Sequence, residues 1–134
     1  MSQENVEIVR RLNVAFNRRD REAMFAMYHP DVEWCDLQHA PDAPERLHGV
    51  AAVKAYLDQW YEAFDDFTAE IEEYIDAGRS VVTLTHWRAT GKGSALVIDL
   101  HTADVVELSD GRIVQVTIGY ADKSAALKAV GLEE

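Results

Sequence analysis

Near residue 64 the spacing of apolar residues changes from the period of about 3.6 that marks a helix to the period of 2 that marks a strand. Before that point Ile8, Val9, Leu12, Ala15 and Phe16 fall on one helical stripe that ends near Arg18. Asp20 can cap a second short helix carrying Met24, Met27 and Tyr28, which Pro30 must stop. A short strand over residues 32–36 and a loop over 37–47, with Pro41 and Pro44, lead to a third helix. That helix starts at Gly49 and buries Val53, Leu57, Trp60 and Phe64.

After the switch the chain reads as a meander. A strand over 67–76 has its alternation disturbed at Glu72 and Glu73, as a bulge would do. The next, over 80–90, sets Val82, Leu84, His86 and Arg88 against Val81, Thr83, Thr85 and Trp87. Gly91-Lys92-Gly93 turns the chain into a long strand over 96–108, and Ser109-Asp110-Gly111-Arg112 is a hairpin signal. In the last strand Val114, Val116, Ile118 and Tyr120 share a face by alternation, before Asp122 caps a final small helix closed by Gly131. Helices first and strands afterwards predict an α+β domain over residues 1–134. In it three N-terminal helices cover a cone-shaped, curved antiparallel sheet, and such a sheet can enclose a pocket.

Charge and composition narrow the function. The 134 residues carry 24 acidic and 13 basic side chains, a formal charge of -11, so nucleic acid and anionic membranes are poor partners. No apolar run approaches the roughly 20 residues of a membrane helix. The N-terminus lacks the charged and apolar regions of a signal peptide. A lone Cys35 fits a reducing cytoplasm and excludes a cysteine-rich metal centre. Cytoplasmic residence is the expectation.

Asp104 is the candidate that stands out. Its strand face carries Leu96, Ile98, Leu100, Thr102, Val106 and Leu108, so a carboxylate there is out of place. Buried carboxyls find partners or take up a proton, which makes them candidates for chemistry. Asp36 repeats the theme at the end of the first strand, on the face of Val32 and Trp34. On the opposite face of the long strand, Asp99 and His101 lie two apart with Glu107 beyond. Without a second ligand cluster they make no metal site, and neither metal nor cofactor is expected. His86 with Arg88 reads as a solvated or interface pair, and Glu70, Glu72, Glu73 and Asp76 as a solvated strand face. His39 and His48 flank the loop as weaker catalytic candidates.

The order of elements, the strand, loop and helix around His48-Gly49, and the closing run from Val106 to Ile113 together resemble the nuclear transport factor 2-like (cystatin-like) superfamily. The branch most similar is that of SnoaL-like proteins and ketosteroid isomerases. The resemblance spans nearly the whole chain and rests on pattern. It implies a general base at Asp36 and a protonated, hydrogen-bond-donating aspartate at Asp104, the division of labour known from ketosteroid isomerase. The isomerase tyrosine falls on Leu12, which cannot donate, and loss of such a donor typically costs on the order of 100-fold in turnover. Tyr56 and Tyr120 are the substitutes to consider. The pocket walls expected are Leu12, Phe16, Tyr28, Trp34, Tyr56, Trp60, Trp87 and Tyr120.

The function that follows is proton transfer on a small hydrophobic carbonyl compound, of isomerase, cyclase or dehydratase type. The alternative is a non-catalytic module of the same fold that binds a hydrophobic ligand or pairs with a second copy. A homodimer, implied by the resemblance, would use a patch around Val82, Leu84 and Val97.

Overall fold

The computed structural model describes residues 2–37, 46–93 and 95–132. The elements are α1 (Ser2–Arg18), α2 (Arg21–Ala26), β1 (Tyr28–Asp36), β2 (Arg46–His48), α3 (Val50–Ala63), β3 (Phe64–Ala77), β4 (Ser80–Gly91), β5 (Val97–Ser109), β6 (Arg112–Tyr120) and α4 (Lys123–Ala129). The fold is α+β, with N-terminal helices against one curved, unclosed sheet. Its strand order is β2-β1-β6-β5-β4-β3. The sheet is mixed: β1 and β6 run parallel, and every other neighbouring pair is antiparallel.

The two shortest helices start at side-chain caps. The Asp20 side chain accepts from Ala23 N and starts α2, and Asp122 does the same for α4 through Ala125 N. The core lies between the N-terminal helices and the concave face of the sheet. It is built from Val9, Phe16, Met24, Val53, Leu57, Tyr61, Phe67, Val81, Val106, Ile113 and Val116, all buried. Full burial of such side chains stabilises by roughly 1.5–3 kcal/mol each. Asn17 adds a polar clamp to the open edge at β3. Its Nδ2 donates to Ala69 O at 2.9 Å and its Oδ1 accepts from Ala69 N at 2.8 Å, much as a further strand would.

Four features depart from the alternation read along the chain. First, β1 begins at Tyr28, so Tyr28 is strand and Pro30 stands inside it. The β1–β6 register breaks between Tyr28 and Glu33, where a residue without an N–H interrupts no ladder bond. Second, residues 46–48 form β2 rather than loop, while His39, Pro41 and Pro44 lie outside the described residues.

Third, β6 slips register against β5 twice, between Glu107 and Leu108 and between Ala103 and Val105. The first slip puts Ile113 in the core in place of Val114. The second, at Ile118 and Gly119, turns Tyr120 to the other face of the sheet. Fourth, α4 does not join the other helices. It packs on the outer face, where Ala126 and Leu127 cover Val82 and Ala103, with Leu84 and Tyr120 at the margin. The expected pairing patch is therefore largely occupied by the chain's own helix: Val82 is fully buried, Leu84 is half-buried, and of the three only Val97 stays exposed, at 65%. No helix among the described residues is long and apolar enough to cross a membrane.

Candidate functional site

The concave side of the sheet holds two adjoining cavities. The outer, of about 270 Å³, is lined by Phe16, Trp34, Asp36, Tyr56, Leu57, Trp60, Phe67, Trp87, Ile98, Leu100, Thr102 and Ile118. The inner, of about 70 Å³, is lined by residues that include Leu12, Phe16, Tyr28, Trp34, Thr83, Thr85, Trp87, Asp104, Val106 and Ile118. Phe16, Trp34, Trp87 and Ile118 belong to both walls.

The outer cavity is an aromatic enclosure around one carboxyl group. Alternation along β1 carries Val32 and Trp34 inward and places Asp36 at the strand's end on the same face. There Asp36 Oδ2 accepts from the Tyr56 hydroxyl at 2.7 Å. Tyr56 comes from α3, one turn before Trp60, and the rings continue around the wall. Centroids are 6.5 Å apart for Trp34 and Tyr56, 6.2 Å for Tyr56 and Trp60, 5.6 Å for Trp60 and Phe67, and 6.0 Å for Phe67 and Trp87. The Trp34 Nε1–H is buried with no hydrogen-bond partner among the described residues.

Asp104 is 2% exposed, as its strand face predicts, but it is not alone. Oδ2 accepts from Thr85 Oγ1 at 2.7 Å, and Oδ1 accepts from Thr102 Oγ1 at 2.8 Å and from Gly119 N at 2.9 Å. Two of these donors come from neighbouring strands, which alternation along one strand cannot reveal. Burial pushes the carboxyl up to about 6, while the bonds from Thr85, Gly119 and Thr102 pull it back down. The nearby Asp36 carboxylate adds a smaller upward push. The bond to Thr102 reaches the outer cavity, because Thr102 lines it and accepts from Trp87 Nε1 at 2.8 Å.

The two aspartates thus stand near each other but line different cavities. Leu12 lines the inner one, and so does Tyr28, whose phenol is pushed far up by burial and then by Tyr61. Of the two tyrosines considered as donors, Tyr56 touches Asp36. Tyr120 packs behind the sheet beside α4, because the Gly119 bulge reverses its parity. Ile98, Leu100 and Thr102 were readable as site residues from the Asp104 face itself, whereas Leu57, Phe67 and Ile118 are walls that only the packing of α3, β3 and β6 reveals. Among the described residues neither cavity gathers three metal ligands; the one such cluster lies on the outer face.

The sequence matches the family model described as SnoaL-like domain over residues 9–116. Many solved structures share the fold, three of which illustrate the likeness. A nuclear transport factor 2-like protein of unknown function from Burkholderia pseudomallei K96243 is 24% identical, with a TM-score of 0.77 over 96% of this chain and 98% of that one. A candidate SnoaL-like polyketide cyclase from Jannaschia sp. CCS1 is 18% identical, with a TM-score of 0.77 over 99% and 95%. A protein with a ketosteroid isomerase-like fold from Catenulispora acidiphila DSM 44928, crystallised with trimethylamine, is 18% identical, with a TM-score of 0.74 over 94% and 93%. No curated protein matches the sequence significantly.

Proposed function

The chain belongs to the SnoaL-like domain family, and from that membership and the cavity geometry we propose that it is an enzyme of proton transfer acting on a flat, largely apolar carbonyl compound. The observation that carries the reading is the Asp36 carboxylate, held by Tyr56 on the wall of a cavity whose other walls are aromatic and aliphatic apart from Thr102. A base must stand within hydrogen-bond reach of the proton it takes. Asp36 removes a proton from the carbon next to the carbonyl, and the C–H electron pair passes into the enolate. Once Asp36 is neutral its pull on the Tyr56 hydroxyl weakens, and Tyr56 turns that O–H toward the enolate oxygen. Tyr56 thereby serves where Leu12 cannot.

Asp104 takes a different part from the one the isomerase resemblance implies. It lines the inner cavity, and both of its oxygens already accept bonds. We assign it as a positioning residue that fixes Thr102, and through Thr102 the Trp87 indole, on the wall of the outer cavity. The candidate polyketide cyclase among the structural neighbours is in keeping with a flat carbonyl substrate.

A second reading has its own support. Aromatic walls with one carboxylate suit a methylated ammonium, held by cation–π attraction without turnover, and one neighbour was crystallised with trimethylamine. Deuterium exchange next to the carbonyl of 1-tetralone, followed by NMR in D2O, separates the two. Proton transfer predicts exchange above background that falls at least about 100-fold in Asp36→Asn. Background exchange with the native protein, together with saturable binding of trimethylammonium, would replace the catalytic reading with the binding one.

A further inference from the structure

The outer face of the sheet carries a cluster that strand pairing assembles and the linear sequence hides. His86 of β4 and His101 of β5 are direct cross-strand partners. Their rings stack with centroids 4.0 Å apart and planes 16° apart, so their nitrogens lie side by side. On the other side of β4 the β3 register slips between Ile71 and Glu73, and the inserted residue is Glu72. A bulge of this kind re-aims a side chain. Here Glu72 Oε1 comes within 3.3 Å of His101 Nδ1. One donor atom from each of Glu72, His86 and His101 lies within 4.8 Å of the other two.

The surroundings of His86 set its tautomer. Its Nδ1 lies 3.3 Å from an Arg88 guanidinium nitrogen, which can only donate, and its Nε2 lies 2.6 Å from Asp99 Oδ1, which as a carboxylate only accepts. The proton is therefore on Nε2, and the Nδ1 lone pair accepts from Arg88. A histidine whose second nitrogen donates to a carboxylate is the arrangement that orients metal-bound imidazoles. Arg88 stays anchored to Glu70 at 2.7 Å when it yields the longer contact to His86. Glu70, Glu72 and Asp99 outnumber that one guanidinium, so a cation meets a favourable field.

We propose that Glu72, His86 and His101 form a binding site for a divalent transition ion of the zinc class, with Asp99 as the outer partner of His86. Two imidazoles and a carboxylate match the donor preferences of Zn2+ and leave coordination positions to water. The site clips β3, β4 and β5 together on the face away from the aromatic cavities. Its ligands are properly arranged only in the folded chain, so the ion stabilises the fold by mass action.

The test is calorimetric titration of the intact protein with zinc chloride in a non-chelating buffer near pH 7.5. The expected result is one saturable site that raises the thermal midpoint. His86→Gln and His101→Gln abolish it, Asp99→Asn weakens it roughly 10- to 100-fold, and Asp36→Asn leaves it unchanged. The His101 side chain is 61% exposed, so its replacement does not threaten folding. Long-range proton–nitrogen spectra should show the ring nitrogens of these two histidines, and not those of His29 or His48, responding to zinc. Absence of saturable heat, or binding that survives both histidine replacements, overturns the site.

Discussion

The Gly119 amide donates to the Asp104 carboxylate across 2.9 Å, from the residue at which β6 slips register against β5. At an ordinary ladder position that N–H would meet a carbonyl. At a bulge the ladder is disturbed, and a buried amide that loses its acceptor costs about 1–3 kcal/mol. Asp104 therefore supplies an acceptor at the bulge, and the bulge sends Tyr120 behind the sheet to α4.

Asp104→Leu should accordingly be destabilising by roughly 2–4 kcal/mol, since it removes a buried acceptor shared by the Gly119 N–H and the Thr85 and Thr102 hydroxyls. Asp104→Asn retains one carbonyl oxygen and should lose less. Urea unfolding of the three proteins measures the difference. Equal midpoints would show that the bulge does not depend on the carboxyl group.

The same carboxyl group makes stability depend on pH with a definite sign. Its folded value is about 6 against an ordinary 3.8, so between those values the folded chain holds a proton that the unfolded chain has released. Its contribution is fully present below about 3.8 and is lost as pH rises through about 6, a swing on the order of 3 kcal/mol. Native protein should gain on Asp104→Asn, which cannot titrate, as pH falls from 7.5 to 4.5. Denaturation midpoints at the two pH values give the comparison, and a difference independent of pH refutes it.

Gly119 has a φ of 102°, a region that side chains other than glycine rarely adopt. Gly119→Val should be destabilising by roughly 1–3 kcal/mol through backbone strain. If the strain pulls the amide away from Asp104, it should also displace the Asp104 carboxyl resonance and its titration in NMR. An unchanged titration would mean that the bulge survives the side chain.

How far the sequence revealed this site depends on what alternation can carry. Helical stripes and caps are local, and Asp20 and Asp122 act where they were expected to. The inward face of Asp104 also followed from one strand's parity. Its donors did not, because Thr85 and Gly119 belong to other strands and register is not written in either strand alone. The same gap hid the Glu72, His86 and His101 cluster: Asp99 and His101 were legible as a pair, and only pairing with β3 and β4 completes the group. Bulges cause the remaining discrepancies. An inserted residue reverses every face beyond it, which is why Tyr120 read as a wall of the cavity and is not one.

Asn17 offers a test of the edge clamp. Asn17→Ala removes both bonds to Ala69 and leaves a backbone N–H and C=O of β3 without side-chain partners at a half-buried edge. A loss of about 1–2 kcal/mol is expected. Hydrogen exchange should locate it, with the Ala69 amide losing protection while β5 amides in the middle of the sheet keep theirs.

Tyr56 decides between two accounts of the outer cavity. If its hydroxyl only packs, Tyr56→Phe keeps the tilted and edge-on ring contacts with Trp34 and Trp60 and changes little. If it first holds Asp36 and then turns to the enolate oxygen, removing it takes away a donor that matters most in the transition state. The turnover number for 1-tetralone exchange should then fall roughly 100-fold, while KM stays nearly constant, because ground-state binding rests on the aromatic walls. Asp36→Asn with Tyr56→Phe should be barely worse than Asp36→Asn alone, since without the base there is no enolate for the tyrosine to stabilise. Additive losses in the double variant would separate the two residues and remove Tyr56 from the proton-transfer step.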